Sequence, residues 1–192
     1  RSRPASSRFV AGERVSRGGN EARVGAWPLG GGQYQFRLWA PDITRVELEL
    51  DGARDAWKIE MSRGSDGYHT AVAGGLAAGA RYKYRVDGNG PFPDPASRSQ
   101  PDGPHGQSAL VDPSEFRWSD GSWAGLDPRR LVIYELHVGT ATPGGTFDAL
   151  IDRLPDIQEL GATAIELLPV AECPGRWNWG YDGVSLWAPS SR

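Results

Sequence analysis

The pattern of apolar residues changes period once, near Arg130, and no other feature of the chain constrains its fold as much. From Gly32 to about Gly90 the apolar side chains alternate with polar ones. In QYQFRLWAP, Tyr34, Phe36 and Leu38 alternate with Gln35 and Arg37. In RVELELDG, Val46, Leu48 and Leu50 alternate with Arg45, Glu47 and Glu49, and Asp51-Gly52 supplies a turn. WKIEM sets Trp57, Ile59 and Met61 on one face, YHTAV follows a Ser65-Asp66-Gly67 turn, and RYKYRVDG sets Tyr82, Tyr84 and Val86 opposite Arg81, Lys83 and Arg85. Successive side chains of a strand point to opposite faces, so a half-buried strand reads apolar, polar, apolar. Runs of this kind separated by Gly and Asp turns predict short antiparallel strands, packed as a small immunoglobulin-like β-sandwich over residues 24–90.

Past Arg130 the alternation stops. LVIYELHV is a nearly continuous apolar run, which predicts a strand covered on both faces. TFDALIDRLPDIQELG then carries Phe147, Leu150, Ile151, Leu154, Ile157 and Leu160 at helical spacing, with Thr146 as N-cap and Gly161 as the stop. Pro155 lacks a backbone N–H, so a kink or break is expected there. TAIELLPV reads as a second buried strand, completing a βαβ unit with a right-handed crossover between parallel strands. Two parallel strands alone leave apolar faces and edges open, and a closed parallel barrel needs about 250 residues. Residues 130–192 are therefore expected to be the truncated start of a catalytic (β/α)8 TIM barrel.

Prolines and glycines are too dense in NGPFPDPASRSQPDGPHGQSALVDPSEFRWSDGSW for a helix or a central strand. An extended connector is expected over 91–129, laid along a surface by Phe92, Leu110, Val111 and Phe116. Residues 1–23, rich in Arg and Ser, are expected to be a disordered basic tail. No run of about 18 apolar residues occurs, so no spanning helix is expected. A net charge of −3 argues against a nucleic-acid partner. The single cysteine, Cys173, excludes an intrachain disulfide and agrees with a reducing compartment. His69, His105 and His137 are too far apart for zinc-ligand spacing, and no metal or other cofactor is expected.

Barrel enzymes carry their sites on the loops after the C-terminal ends of the strands. Here that loop is AECPGRWNWGYDGVSLWAP. Tyr181 and the tryptophans Trp177, Trp179 and Trp187 could stack on the apolar face of a sugar ring, or the tryptophans could pack the loop onto the barrel. Asn178 and Asp182 could bond sugar hydroxyls, and His137 ends the first strand in the same region. Glycoside hydrolysis needs two carboxyl groups facing each other across the bond. Of the acids near strand ends, Glu135, Glu166, Glu172 and Asp182, the first two sit mid-strand and read as interior, hydrogen-bonded residues. No complete catalytic set is present. On the sandwich, Trp27, Trp39 and Trp57 are conceivable stacking residues, Trp57 lying on the inward face.

The run from Leu131 to Pro189 resembles the first two βα units of the α-amylase-type glycoside hydrolases (family 13), and FRLWAPDITRVELELDG resembles the N-terminal sandwich of members that carry one. PDPASRSQPDGPHGQSALVDP is most similar to members that release trehalose. The resemblance implies hydrolysis of the α-1,4-glucosidic bond next to the terminal trehalose unit of maltooligosyltrehalose, in the cytoplasm. Branching or debranching of α-glucan is the alternative within the family, and a non-catalytic α-glucan-binding module the alternative outside it. It further implies an Asp nucleophile, a Glu acid/base and a second Asp supplied by later strands, so that these 192 residues are inactive alone. Gly180-Tyr181-Asp182 matches the place where the family stacks an aromatic ring on the sugar at the cleavage point. The implied substrate-binding set is Tyr181, Asp182, Asn178, Trp179 and His137.

Overall fold

The computed structural model describes residues 23–51 and 56–191. Among the described residues nine strands build the N-terminal part: β1 (Gly25–Gly30), β2 (Gln33–Trp39), β3 (Val46–Asp51), β4 (Ala56–Glu60), β5 (Ser62–Arg63), β6 (Tyr68–Ala73), β7 (Arg81–Val86), β8 (Asn89–Phe92) and β9 (Ser108–Ala109). They form two antiparallel sheets, ordered β1-β2-β6-β5 and β4-β3-β7-β8, with β9 added to β7. The alternation read from the sequence is the alternation of burial. Phe36, Val46, Leu48 and Leu50 are fully buried, and Tyr34, Leu38, Met61, Tyr82 and Tyr84 join them in one core. Trp57, Ile59 and Val86 pack against it, partly covered. The rings of Phe36 and Tyr82, and those of Tyr82 and Tyr84, meet edge to face at 5.2 and 5.8 Å, the offset geometry that aromatic quadrupoles favour.

The structure adds strands that the alternation did not announce. β1 contains Pro28, which cannot donate to a ladder, and it lies at the edge of its sheet, where that omission is harmless. β8 and β9 carry the sandwich past residue 90, into the segment expected as a connector. Leu110 enters the core, whereas Phe92 and Phe116 stay exposed. The outer half of that segment, after residue 112, holds only two short 3-10 turns and the exposed aromatics Phe116, Trp118 and Trp123. The basic tail expected over 1–23 lies outside the described residues up to residue 22, and so does Gly52 of the expected Asp51-Gly52 turn.

A buried polar cluster ties the segment after β8 to β7. Asp94 is buried, and its Oδ2 accepts from Tyr82 Oη at 2.7 Å and Tyr84 Oη at 3.5 Å, while its Oδ1 accepts from Ala96 N at 2.8 Å. Burial pushes the Asp94 carboxyl up to about 6, against the opposing pull of these hydrogen bonds. The same burial, followed by the charge of Asp94, pushes both tyrosine hydroxyls well above their ordinary value.

The C-terminal part contains β10 (Ile133–Leu136), α1 (Val138–Ala141), α2 (Phe147–Ile151), α3 (Leu154–Glu159), β11 (Ala164–Leu167), β12 (Ala171–Glu172) and β13 (Ser185–Pro189). β10 and β11 pair in parallel, from Ile133↔Ala164 to Leu136↔Leu167, with the helices between them in sequence. The helical run is broken near Pro155, as its missing N–H led one to expect, into two helices. α2 starts at Thr146, whose hydroxyl accepts from Ala149 N at 3.2 Å, and α3 carries Pro155 in its first turn, where a missing N–H leaves no hydrogen bond unmade. At the far end Gly161 N donates to Gln158 O at 2.9 Å and the helix stops.

Both strands were expected to be covered on two faces, and they are not. Ile133 is 55% exposed, and Tyr134, Ile165 and Leu167 are exposed as well; only Leu136, Val138 and Leu150 form a small second core, with Ile157 and Val170 beside it. Glu135 and Glu166, expected to be interior and hydrogen-bonded, lie directly opposite each other in the register and are exposed. The reason is geometric. Two strands present two faces and two edges, and among the described residues the helices supply cover for only part of one face.

Candidate functional site

The carboxyl ends of β10 and β11 open into a cleft of about 1420 Å³. Its walls come from the turn after β10 (His137–Thr140), the start of α2, and the loop after β11, including Cys173 and Arg176–Trp179. The loop is long, and three devices hold it. At its base β12 and β13 pair antiparallel, Ala171 opposite Pro189 and Glu172 opposite Ser185. The Glu172 carboxylate is fully buried there and accepts from Cys173 N at 3.2 Å through Oε1, and from Ser191 N at 2.9 Å and Ser191 Oγ at 3.2 Å through Oε2. A buried carboxylate committed to three donors is a clamp and is not free to act as a general acid or base.

The second device is His137. Its Nε2 lies 2.6 Å from the Asn178 carbonyl oxygen, and since that oxygen can only accept, Nε2 carries the proton. Nδ1 is buried without a hydrogen-bond partner, and the imidazole meets the Trp179 indole edge to face at 5.5 Å. The third device is Asn178 itself. Its Oδ1 accepts from Gly180 N at 2.7 Å and Asp182 N at 3.3 Å, the self-bonding that Asn side chains perform in turns. Gly180 adopts φ +96°, and a Cβ there would lie 2.8 Å from Pro169 Cδ, so only glycine fits this turn.

The structure thus brings His137, Asn178 and Trp179 together along one wall, whereas Tyr181 and Asp182 lie outside the cleft lining. Tyr181 is 81% exposed, and Trp177 and Trp187 also project into solvent. The Asn178 side-chain oxygen is taken by the loop backbone, which leaves its side-chain amide as the donor open to a sugar hydroxyl. Glu172 is the residue whose part the sequence did not reveal. In VAEC it looked like one more acid near a strand end, and only the return of the chain to Ser191 shows what its charge serves. Among the described residues no group of His, Cys, Asp and Glu converges on a metal-binding position, and no helix is long and apolar enough to cross a membrane. Chemically, the cleft can stack and hydrogen-bond a polyhydroxylated ligand, and among the described residues no pair of carboxyl groups faces across it.

Residues 23–113 match the model of carbohydrate-binding module 48 (isoamylase N-terminal domain). Over 153 residues the chain is 46% identical to a malto-oligosyltrehalose trehalohydrolase of Saccharolobus solfataricus, a match covering 80% of this chain and 27% of that protein. It is 36% identical over 183 residues to a 1,4-alpha-glucan branching enzyme of Ralstonia nicotianae, covering 82% of this chain and 23% of the enzyme. Among solved structures, a candidate alpha-amylase from Salmonella typhimurium superposes with a TM-score of 0.81 at 41% identity, covering 88% of this chain and 28% of that one. The chain spans about a quarter of the length of the relatives it matches.

Proposed function

We propose that this chain, a carbohydrate-binding module joined to a βαβ unit, is the N-terminal part of a glycoside hydrolase that releases trehalose from maltooligosyltrehalose. In this reading the enzyme cleaves the α-1,4-glucosidic bond next to the terminal trehalose unit. The observation that carries the proposal is the cleft at the carboxyl ends of the parallel β10–β11 pair, walled by the aromatic loop that His137, Asn178 and Glu172 hold in place. Ligand sites of parallel sheets lie at those ends. The similarity to the Saccharolobus solfataricus enzyme supports the choice of reaction.

β10 and β11 are then the first two strands of a (β/α)8 barrel. Leu136 shares the helix-covered side of the pair, so Glu135 and Glu166 fall on the opposite side, which a closed barrel turns inward. The catalytic carboxylates come from later strands, and residues 130–191 contribute binding. Tyr181 stacks on the sugar next to the scissile bond, Asp182 and the Asn178 amide bond its hydroxyls, and Trp179 flanks it, backed by His137. The protein works without a metal, and its place is the cytoplasm. The test is to incubate the complete gene product with maltooligosyltrehalose and follow free trehalose. Trehalose release is expected. New α-1,6 linkages without trehalose would overturn this reaction in favour of branching, as in the Ralstonia nicotianae relative. No turnover of any α-glucan would overturn the enzymatic reading altogether.

A further inference from the structure

We infer that the sandwich carries its own sugar-stacking subsite, built on Trp39 and the Arg63–Gly67 turn; the choice of an α-glucan as its ligand rests on the reading above. Three tryptophans on the sandwich could stack a sugar, and the structure separates them. Trp27 lies under the guanidinium groups of Arg23 and Arg98, at 4.4 and 3.8 Å, so its face is already engaged by cations. Trp57 packs against the core. Trp39, the last residue of β2, is 60% exposed and forms one wall of a cleft of about 660 Å³ with Pro41, Arg63 and the 64–67 turn.

The cleft is held before any ligand arrives. Ala40 N donates to Gly67 O at 3.0 Å, which fastens the turn to the Trp39–Pro41 segment. Gly67 adopts φ +81°, and a Cβ there would sit 2.9 Å from Pro41 Cβ and 3.3 Å from Trp39 Nε1, so the turn backbone reaches the indole only because this residue is glycine. Asp66 is fixed by Tyr68 N at 3.2 Å and by Arg37 at 3.2 Å, and Arg37 in turn stacks on the Tyr68 ring at 3.7 Å. Arg63 donates to Pro41 O at 2.7 Å, which leaves further N–H donors on the same guanidinium. A pyranose has an apolar C–H face and a rim of hydroxyls. An indole plane beside a fixed carboxylate acceptor and a fixed guanidinium donor matches both, and fixed groups lose little freedom on binding.

The test is 19F NMR of the protein labelled with 5-fluorotryptophan, the Trp39 resonance being assigned through Trp39→Phe, during titration with maltohexaose. A saturable shift of the Trp39 resonance is expected, and Arg63→Ala and Asp66→Ala should each weaken it about threefold or more. If the Trp39 resonance stays still at saturating sugar while those of Trp177, Trp179 or Trp187 move, the subsite is overturned and the glucan reading survives. An unchanged Kd in both Arg63→Ala and Asp66→Ala also overturns it. The titration requires no catalysis, so trehalose release and Trp39 binding succeed or fail separately.

Discussion

Asp94 should make the sandwich lose stability as the pH rises from about 4 to about 6. Its carboxyl titrates near 6 in the folded chain, because burial disfavours the charged form, and at an ordinary 3.8 in the unfolded chain. Below 3.8 both states carry the proton and the group contributes no pH dependence. Between 3.8 and about 6 the unfolded chain has released it and the folded chain has not, so the folded state binds more protons and each step up in pH favours unfolding. Above about 6 the contribution is flat again. At 1.36 kcal/mol per pH unit over that interval, the loss is about 3 kcal/mol. Asp94→Asn removes the titration while keeping an oxygen for Ala96 N and placing an amide against Tyr82 Oη. The assay is urea unfolding of both proteins from pH 4 to 7, followed by near-ultraviolet circular dichroism of the buried Phe36–Tyr82–Tyr84 cluster. Other carboxylates, such as Glu49, which Lys58 and Arg85 hold below its usual range, slope the opposite way but are common to both proteins and cancel in the difference. The variant should gain about 3 kcal/mol on the parent over this range. Parallel curves, or a parent that gains on the variant with rising pH, would refute the reasoning.

Two further outcomes follow from the loop. Glu172→Ala leaves Cys173 N, Ser191 N and Ser191 Oγ without their buried acceptor, at a local cost of about 3 kcal/mol. Hydrogen exchange over 185–191 should then speed up about 100-fold while the amides of β3 and β7 are unchanged; equal acceleration in both regions would refute the clamp. Gly180→Ala forces a Cβ into Pro169 and a side chain into a left-handed conformation, with strain of about 1–3 kcal/mol. Its Trp179 19F resonance should move away from the parent position even without sugar, and an unmoved resonance would mean that the turn does not set the Trp179 wall.

The elements that the chain's own order determines are those whose information is local. Alternation at Tyr34–Leu38, Val46–Leu50 and Tyr82–Val86 specifies strands and which face each one buries, because side chains of a strand alternate whatever lies opposite. Thr146 and Gly161 mark helix ends for the same reason: a cap acts within one turn of itself. Pro155 marks a break, since its missing N–H is tolerated only in a first turn, and the chain restarts its helix to put it there. What depends on partners far along the chain was legible only in three dimensions. β1 and β9 are strands because an edge of β2 and of β7 receives them. Asp94 is buried because Tyr82 and Tyr84 turn their hydroxyls toward it, and Glu172 because Ser191 returns to it. Likewise Trp27 and Trp39, which look equivalent in sequence, part company through neighbours remote in the chain: Arg98 is engaged with Trp27, and a turn bonded at Gly67 leaves Trp39 open, while the core covers Trp57 as its inward position in the alternation indicated. Burial of a charge or of an aromatic face is settled by whatever the rest of the chain brings against it, and only tertiary structure decides that.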